Sequence, residues 1–248
     1  MDRTTYIKKV YPKYWLTARE RKYGFLEYDK NLCNLVLNLI GQPSNDKTLI
    51  EVAIGTGYPF ADYFASKGYS VHGIDISQDL IEKSKRLYPD IKCKVGDAEH
   101  LDYPDDNFDF VYCFHSTWLF PNLAKAVDEM LRVAKPSGYV AFDIMNRNNN
   151  KIQNTYAKNV RENTGMGRIW KITKNIAKVI LRRRTIDWHF VVYETPTYPE
   201  GFYGHLRTHS KVRDFSVFTR NQDGSLLEQK EVGPLPDWDR IVFVIHTK

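Results

Sequence analysis

Apolar and polar residues alternate along residues 48–144 as short hydrophobic runs separated by amphipathic stretches. The runs predict buried strands, and the stretches between them predict helices that end near Gly or Pro. The predicted strands are Thr48–Ile54, Ser70–Ile74, Ile91–Val95, Phe108–Phe114 and Tyr139–Ile144. The predicted helices are Leu32–Ile40, Phe60–Lys67, Gln78–Tyr88 and Leu123–Ala134. This alternation predicts βαβ crossovers and an α/β fold, with a mainly parallel sheet flanked by helices.

The rhythm differs at the two ends of the chain. The first residues are rich in Tyr, Lys and Arg and predict a helical arm, whereas residues 151–184 predict a helical insertion. Val212–Thr219 and Arg240–Thr247 predict an antiparallel terminal strand pair, with a turn at residues 221–224. We therefore expect one domain with four parts: an arm at 1–45, a core at 46–145, a lid insertion at 146–200 and terminal strands at 201–248.

Composition agrees with a globular chain of 248 residues, of which 42% are hydrophobic and 27% are charged. Cys33, Cys93 and Cys113 lack the spacing of metal or redox motifs, so reduced thiols and no metal site are predicted. No apolar run is long enough to span a bilayer, and Met1-Asp2-Arg3 does not begin a signal peptide. We expect a cytoplasmic protein, with association at a membrane surface as an alternative.

The net charge of +6 is concentrated in one segment. Arg168–Arg184 contains seven Lys or Arg residues and no acid, so the remainder of the chain carries a net charge of −1. On a helix, one face would carry the cations Lys171, Lys174, Lys178 and Arg182, and another the apolar Ile169, Ile172, Ile176 and Val179 or Ile180. Three interpretations stay open: a lid helix whose apolar face packs inward, peripheral contact with an anionic membrane, or an anionic substrate.

The most informative stretch is a strand that runs into a glycine turn, Gly55-Thr56-Gly57. Gly accepts positive φ and has no Cβ, so such a turn lets the backbone approach a ligand closely. The ligand would lie in the crevice at the carboxyl ends of the parallel strands. A Gly-x-Gly sequence also occurs in many turns without a ligand, so it does not define a site by itself.

Three acidic residues near strand ends strengthen this interpretation. Glu51 lies on the first predicted strand, Asp75 follows the second and Asp97 follows the third. Asp75 comes 18 residues after Gly57, and Asp97 another 22 residues later, which is one βα unit each. Successive units place these carboxyl groups along one edge of the sheet. There Asp75 could accept hydrogen bonds from two ribose hydroxyls, and Asp97 could accept one from an exocyclic amine.

This set resembles the class I S-adenosylmethionine-dependent methyltransferases, particularly their small-molecule branch. The resemblance covers about residues 49–144 and more weakly 187–247; it includes Phe108–Cys113 as the fourth strand and Leu131–Tyr139 as the entry to the fifth. It implies a Rossmann-like fold and an S-adenosylmethionine site formed by Glu51, Ala53, Gly55, Gly57, Asp75, Ile76, Asp97, Ala98, His115 and Tyr14. In that family the glycine turn approaches the methionine part, the second-strand acid holds the ribose and the third-strand Asp meets adenine. Ala53 departs from the family, which more often has glycine there.

His115 is the candidate catalytic residue, because it follows the fourth strand, where acceptor and cofactor meet in this family. It could be a general base, contact the cofactor through its backbone, or simply be a packed histidine. Tyr14 and Trp15 of the arm could close over the cofactor, or the arm could dock only by hydrophobic contact. Asp143 is interpreted as an ordinary carboxylate at a strand end.

A dinucleotide is the competing cofactor, but its Gly-x-Gly-x-x-Gly fingerprint has Phe60 in the third glycine position here. We therefore predict a methyltransferase that acts on a small-molecule or lipid-like acceptor. O-methylation is favoured because it is frequent in the resembled family. An RNA methyltransferase and a non-catalytic methyltransferase-like binding protein stay open as alternatives, although the sequence shows no RNA-binding module.

Overall fold

The computed structural model describes residues 3–9, 11, 24–44, 46–180 and 195–248. The strands are β1 (Thr48–Val52), β2 (Ser70–Asp75), β3 (Lys92–Val95), β4 (Phe108–Cys113), β5 (Ala134–Met145), β6 (Val212–Arg220), β7 (Leu226–Gln229) and β8 (Arg240–Thr247). The helices are α1 (Arg3–Lys9), α2 (Glu27–Ile40), α3 (Phe60–Ser66), α4 (Gln78–Leu87), α5 (Leu123–Val133), α6 (Asn150–Asn163), α7 (Gly165–Ile180) and α8 (Pro199–Thr208). A short 3₁₀ helix covers Thr117–Leu119.

The strands form one sheet in the order β3-β2-β1-β4-β5-β8-β6-β7. The first five pair in parallel, whereas β8 is antiparallel to β5 and to β6. The chain builds outward from β1 to β3 and then crosses back to β4, so the order reverses between β1 and β4. Ligands in open α/β sheets bind at such a reversal, beyond the carboxyl ends of the strands. The predicted Rossmann-like fold is confirmed.

Side chains that alternate along the central strands build a hydrophobic layer on each face of the sheet. On β1, Ile50 and Val52 pack on the face covered by α5 and α8, while Leu49 packs on the face covered by α2 and α3. All three are fully buried. Because both faces are covered, the strands are apolar runs, which explains why the sequence pattern locates them well.

Two element boundaries differ from the predictions by five residues each, for local reasons, whereas the other predicted helices and strands of the core begin and end within two residues of the expected positions. Helix α2 begins at Glu27 rather than Leu32, because Asp29 Oδ2 accepts the Leu26 N–H at 2.9 Å and so caps the first turn. Strand β5 begins at Ala134, before the predicted Tyr139, since Ala134 already pairs with Phe108 before the register shifts.

The terminal region contains two elements that the sequence pattern does not predict. Strand β7 has only four residues at the edge of the sheet, too few to show an alternation. Helix α8 occupies part of the segment expected to contain only strands, and it begins with Pro199, a residue favoured in the first helical turn. Phe202 and Leu206 of α8 are buried against the sheet.

The insertion is helical as predicted, but it consists of two helices that are separated at Thr164, with Gly165 at φ 49°. Residues 181–184 of the predicted helical segment lie outside the described residues. On the apolar face that was expected to pack inward, Ile169 and Ile176 are instead 55% and 49% exposed, whereas Ile172 is half-buried and the side chains of Val179 and Ile180 lie outside the described part of the chain. The polar Asn175 is buried instead.

In the described part of the chain, no helix combines the length and apolarity that crossing a bilayer requires.

Candidate active site

The glycine turn after β1 is held by its own backbone and by Asp75. Ala53, Gly55 and Gly57 all have positive φ, at 63°, 59° and 91°. The Gly55 N–H donates to Asp75 Oδ2 at 2.9 Å, and the Gly57 N–H donates to the Ile54 carbonyl oxygen at 3.0 Å. A Cβ on Gly57 would lie 2.9 Å from the ring of Tyr88, so this position also requires glycine for space.

Asp75 ends β2 and is only 8% exposed. Its Oδ1 accepts the Ser77 N–H at 2.9 Å, while Oδ2 accepts from Gly55. Burial raises the pKa of Asp75 to about 6, although these backbone hydrogen bonds act in the opposite direction. The backbone of Ile76 acts on Asp75 in the same way as that of Gly55 and Ser77, so of the roughly four acceptor sites of the carboxylate at least one is left for a donor from a ligand.

Glu51 lies on β1 beneath the turn and is 4% exposed. Its Oε2 accepts a hydrogen bond from the hydroxyl of Tyr112 at 3.2 Å. Burial raises the pKa of Glu51 well above its ordinary value, and the nearby Asp75 acts in the same direction. Burial thus shifts the protonation equilibrium of this carboxyl toward the neutral form, compared with a glutamate in water.

These groups line a cavity of about 280 Å³ at the carboxyl ends of the strands. Eight of the ten predicted cofactor residues are among its lining residues: Glu51, Ala53, Gly55, Asp75, Ile76, Asp97, Ala98 and His115. Gly57 does not line the cavity and shapes the turn from behind. Tyr14 lies outside the described residues, as does Trp15.

The N-terminal arm contributes two lining residues that the sequence analysis does not single out, Ile7 of α1 and Tyr11. Tyr11 is 8% exposed and belongs to a small apolar cluster with Tyr6, Trp118 and Leu119. The aromatic richness of the first residues was the available indication, but it could not distinguish Tyr11 from its neighbours.

Beyond β3, Asp97 is exposed at the cavity and its Oδ1 accepts the Glu99 N–H at 3.0 Å. Apolar side chains of Ile76, Leu80 and Ala98 line the same cavity. A carboxylate beside such apolar surface can bind a flat heterocycle, because the ring packs on the apolar groups and its amine donates to the acid.

His115 follows β4 and adopts a positive φ of 61°. Its N–H donates to Asp143 Oδ1 at 2.7 Å, and its Nε2 lies 2.7 Å from Asp29 Oδ1. The ring stacks on Phe60 at a centroid distance of 5.6 Å, and the side chain is 32% exposed. The histidine is thus fixed by backbone and side chain while one part of it lines the cavity.

Asp143 is more than an ordinary strand-end carboxylate, because it lies fully buried in a polar cluster. Its Oδ2 lies 3.6 Å from the Arg240 guanidinium and accepts from the Tyr28 hydroxyl at 3.4 Å. Burial and the charge of Asp143 raise the pKa of Tyr28 well above its usual range. Neither Asp29 nor Arg240 could be recognised from the sequence, since α2 and β8 approach β4 only through the tertiary fold.

Known proteins show the same architecture. Residues 50–142 match the family model described as a methyltransferase domain. A demethylmenaquinone methyltransferase of Renibacterium salmoninarum is 34% identical over 52% of this chain and 52% of its own length. A phosphatidylethanolamine N-methyltransferase of Cereibacter sphaeroides is 27% identical over 64% of this chain and 78% of its own. This chain therefore spans only about half the length of most of the relatives that it matches.

A crystal structure of a SAM-dependent methyltransferase from Thermotoga maritima superposes with a TM-score of 0.57 at 18% identity, over 95% of this chain and 98% of that one. At this identity the likeness shows the fold, while the matched residues 50–142 contain the glycine turn and all three strand-end acids. Residues 50–142 thus resemble a methyltransferase domain, and the chain as a whole has the fold of a SAM-dependent methyltransferase.

Proposed function

We propose that this chain transfers a methyl group from S-adenosylmethionine to a small lipid-like acceptor, with an oxygen atom as the favoured acceptor atom. The observation that carries the proposal is that the glycine turn, Asp75 and Asp97 meet at one cavity. The lipid-like class is supported by two relatives whose names specify demethylmenaquinone and phosphatidylethanolamine as substrates.

The groups that line the cavity are suited to hold the three parts of S-adenosylmethionine. Asp75 would accept from the ribose hydroxyls, because its carboxylate keeps an acceptor site beside the turn in addition to those that its backbone donors occupy. Ala53 and Gly55 would face the methionine part, and Asp97 with the apolar Ile76 and Ala98 would hold the adenine. When bound, S-adenosylmethionine supplies an electrophilic methyl group on a positively charged sulfur.

His115 is the residue that we propose as general base for an acceptor hydroxyl. If Nε2 donates its proton to Asp29, Nδ1 is the unprotonated ring nitrogen and can take the hydroxyl proton. Asp143 Oδ2, at 3.7 Å from Nδ1, would then stabilise the resulting imidazolium. Asp29 acts on the acceptor only through the ring of His115 and is a positioning residue.

The walls of the cavity favour methyl transfer to the acceptor over water. Ile7 and Tyr11 of the arm line the cavity together with Leu119 and Phe120. Such apolar surface excludes water and holds an apolar acceptor by the hydrophobic effect.

A methyl-transfer assay with radiolabelled S-adenosylmethionine tests this function. Quinols and phospholipids dispersed in detergent would be compared with water-soluble phenols and amines. We expect label in a lipid-like product, and roughly tenfold to a hundredfold less label with an Asp75→Asn variant when both are assayed at one cofactor concentration below the wild-type Kd. Methyl transfer to the water-soluble acceptors alone would contradict the proposed acceptor class. If no acceptor of either group is methylated and the chain does not bind the cofactor, the proposed function is contradicted.

A lipid-like acceptor resides in a bilayer, so we place the working protein at the cytoplasmic surface of a membrane. The concentration of cations between residues 168 and 184 supports such a location, since anionic lipids attract basic segments.

A further inference from the structure

Helix α7 exposes the side that an amphipathic helix normally hides. Met166 is 79% exposed, Trp170 67%, Ile169 55% and Ile176 49%. Buried Asn175 lies on the opposite side of the helix from these residues. A soluble protein rarely leaves large apolar side chains together on one helical face, so this face requires a partner.

The charge of α7 indicates what that partner is. The helix contains Arg168, Lys171, Lys174 and Lys178 and no acidic residue. The ammonium of Lys174 lies 5.3 Å from the ring centre of Trp170, so a cation adjoins the exposed apolar face. Cations beside Trp and Ile are the composition of helices that lie in the plane of an anionic bilayer surface.

We propose that α7 is a membrane-docking helix, which inserts Met166, Ile169, Trp170 and Ile176 into the interface of a bilayer containing anionic lipid. Docking extends the proposed function, because it would bring the cavity to a membrane-resident acceptor. The docking itself does not require the cofactor, so the two can fail independently.

Two other occupants of this face predict different behaviour. A second copy of the chain would cover the apolar residues, but it would place α7 against an identical helix whose cations repel it. A nucleic acid would use the cations and leave Ile169 and Ile176 without a partner. An anionic bilayer satisfies both the apolar and the basic residues of the helix.

The test is co-sedimentation of the full chain with phosphatidylcholine vesicles, with and without phosphatidylglycerol. The double variant Ile169→Asn/Ile176→Asn should lower the vesicle partition coefficient by roughly tenfold or more, because two apolar side chains lose their burial in the bilayer. The matched control is Leu87→Asn/Leu227→Asn, whose leucines are each 49% exposed and lie away from α7. The control should bind vesicles as the wild type does.

A second pair of variants tests the charge. Arg168→Gln/Lys174→Gln should weaken binding to anionic vesicles by roughly fivefold per charge and leave binding to pure phosphatidylcholine unchanged. The control variant Lys85→Gln/Lys92→Gln removes two exposed lysines outside α7 and should have little effect on binding to anionic vesicles. Thermal unfolding of each variant checks that the fold is kept.

Wild-type protein that stays in the supernatant, or an isoleucine variant that binds as well as the wild type, would overturn the docking proposal. A concentration-dependent dimer that the isoleucine variant abolishes, without vesicle binding, would assign the face to a second copy instead. Calorimetry with S-adenosylhomocysteine on the same preparations separates the outcomes: cofactor binding without vesicle binding overturns docking alone, and the reverse overturns the proposed function alone.

Discussion

The Nε2 atom of His115 lies 2.7 Å from Oδ1 of Asp29, although the two residues are 86 positions apart in the chain. Asp29 is 4% exposed in the first turn of α2, and His115 follows the last residue of β4 by two positions. The contact therefore holds the imidazole at the cavity edge by an element outside the sheet. A second pair, His205 Nε2 and Asp128 Oδ1, has the same 2.7 Å distance, but neither of its residues lines the cavity.

The Asp29→Asn variant should lower kcat by roughly tenfold to a hundredfold if His115 is the general base, because the amide no longer fixes the ring tautomer or stabilises the imidazolium. The KM for S-adenosylmethionine should stay within about twofold, since Asp29 does not line the cavity. Steady-state kinetics over a range of pH measure both quantities.

The matched control is Asp128→Asn, which removes the corresponding carboxylate from the pair distant from the cavity. It should leave kcat unchanged. If Asp29→Asn lowers only the thermal stability and not kcat, Asp29 is structural and the base assignment of His115 loses its support.

The Asp75→Asn variant should weaken S-adenosylhomocysteine binding by roughly tenfold to a hundredfold, because hydrogen bonds to a charged acceptor become bonds to a neutral amide. Burial raises the pKa of Asp75 to about 6, so the wild type should also lose affinity as the pH falls below about 6, by up to roughly tenfold per pH unit. Calorimetry at several pH values tests both effects. A variant with the same pH dependence as the wild type would exclude Asp75 as the titrating group.

The Glu51→Gln variant should change how stability depends on pH. Burial raises the pKa of Glu51, so on raising the pH the unfolded chain loses this proton before the folded chain does. The wild type therefore loses stability as the pH rises above the ordinary Glu value, whereas glutamine has no proton to lose. Urea denaturation should show that the free energy of unfolding of the variant, relative to the wild type, is higher at about pH 8 than at about pH 5. An equal difference at both pH values would contradict the raised pKa.

The Ala53→Gly variant should stabilise the protein by about 0.5–1 kcal/mol, because Ala53 at φ 63° carries the strain of a side chain in the left-handed region. Cofactor affinity should be retained, since the family more often has glycine at this position. Ser137→Gly, at φ 59° outside the cavity lining, provides a comparison for the backbone effect alone. A loss of stability in Ala53→Gly would show that the Cβ contributes more by packing than it costs in strain.

The sequence predicted the parts of this molecule that depend on local pattern. Strands β1 to β5 are apolar because both faces of the sheet are buried, and Asp75 and Asp97 follow from the βα repeat that brings strand ends to one edge. Asp29 and Arg240 could not be predicted, because their contacts with His115 and Asp143 join elements that are distant in the chain.

The sequence also could not predict which face of α7 is buried. Helical periodicity shows that Ile169 and Ile176 share a face, and burial of that face is the usual outcome. Which face turns inward depends on what the neighbouring elements offer, and here Asn175 is the buried side chain. The same pattern of residues therefore fits a lid helix and a membrane-docking helix equally well.

Titration calorimetry of the wild-type chain with S-adenosylhomocysteine at neutral pH tests the central claim most directly. A cavity in which the glycine turn, Asp75 and Asp97 together hold the cofactor predicts one site per chain, with a Kd on the order of 1–100 μM. No binding heat at millimolar ligand, confirmed by an unchanged thermal unfolding midpoint, would contradict the cofactor site and the methyl transfer that depends on it.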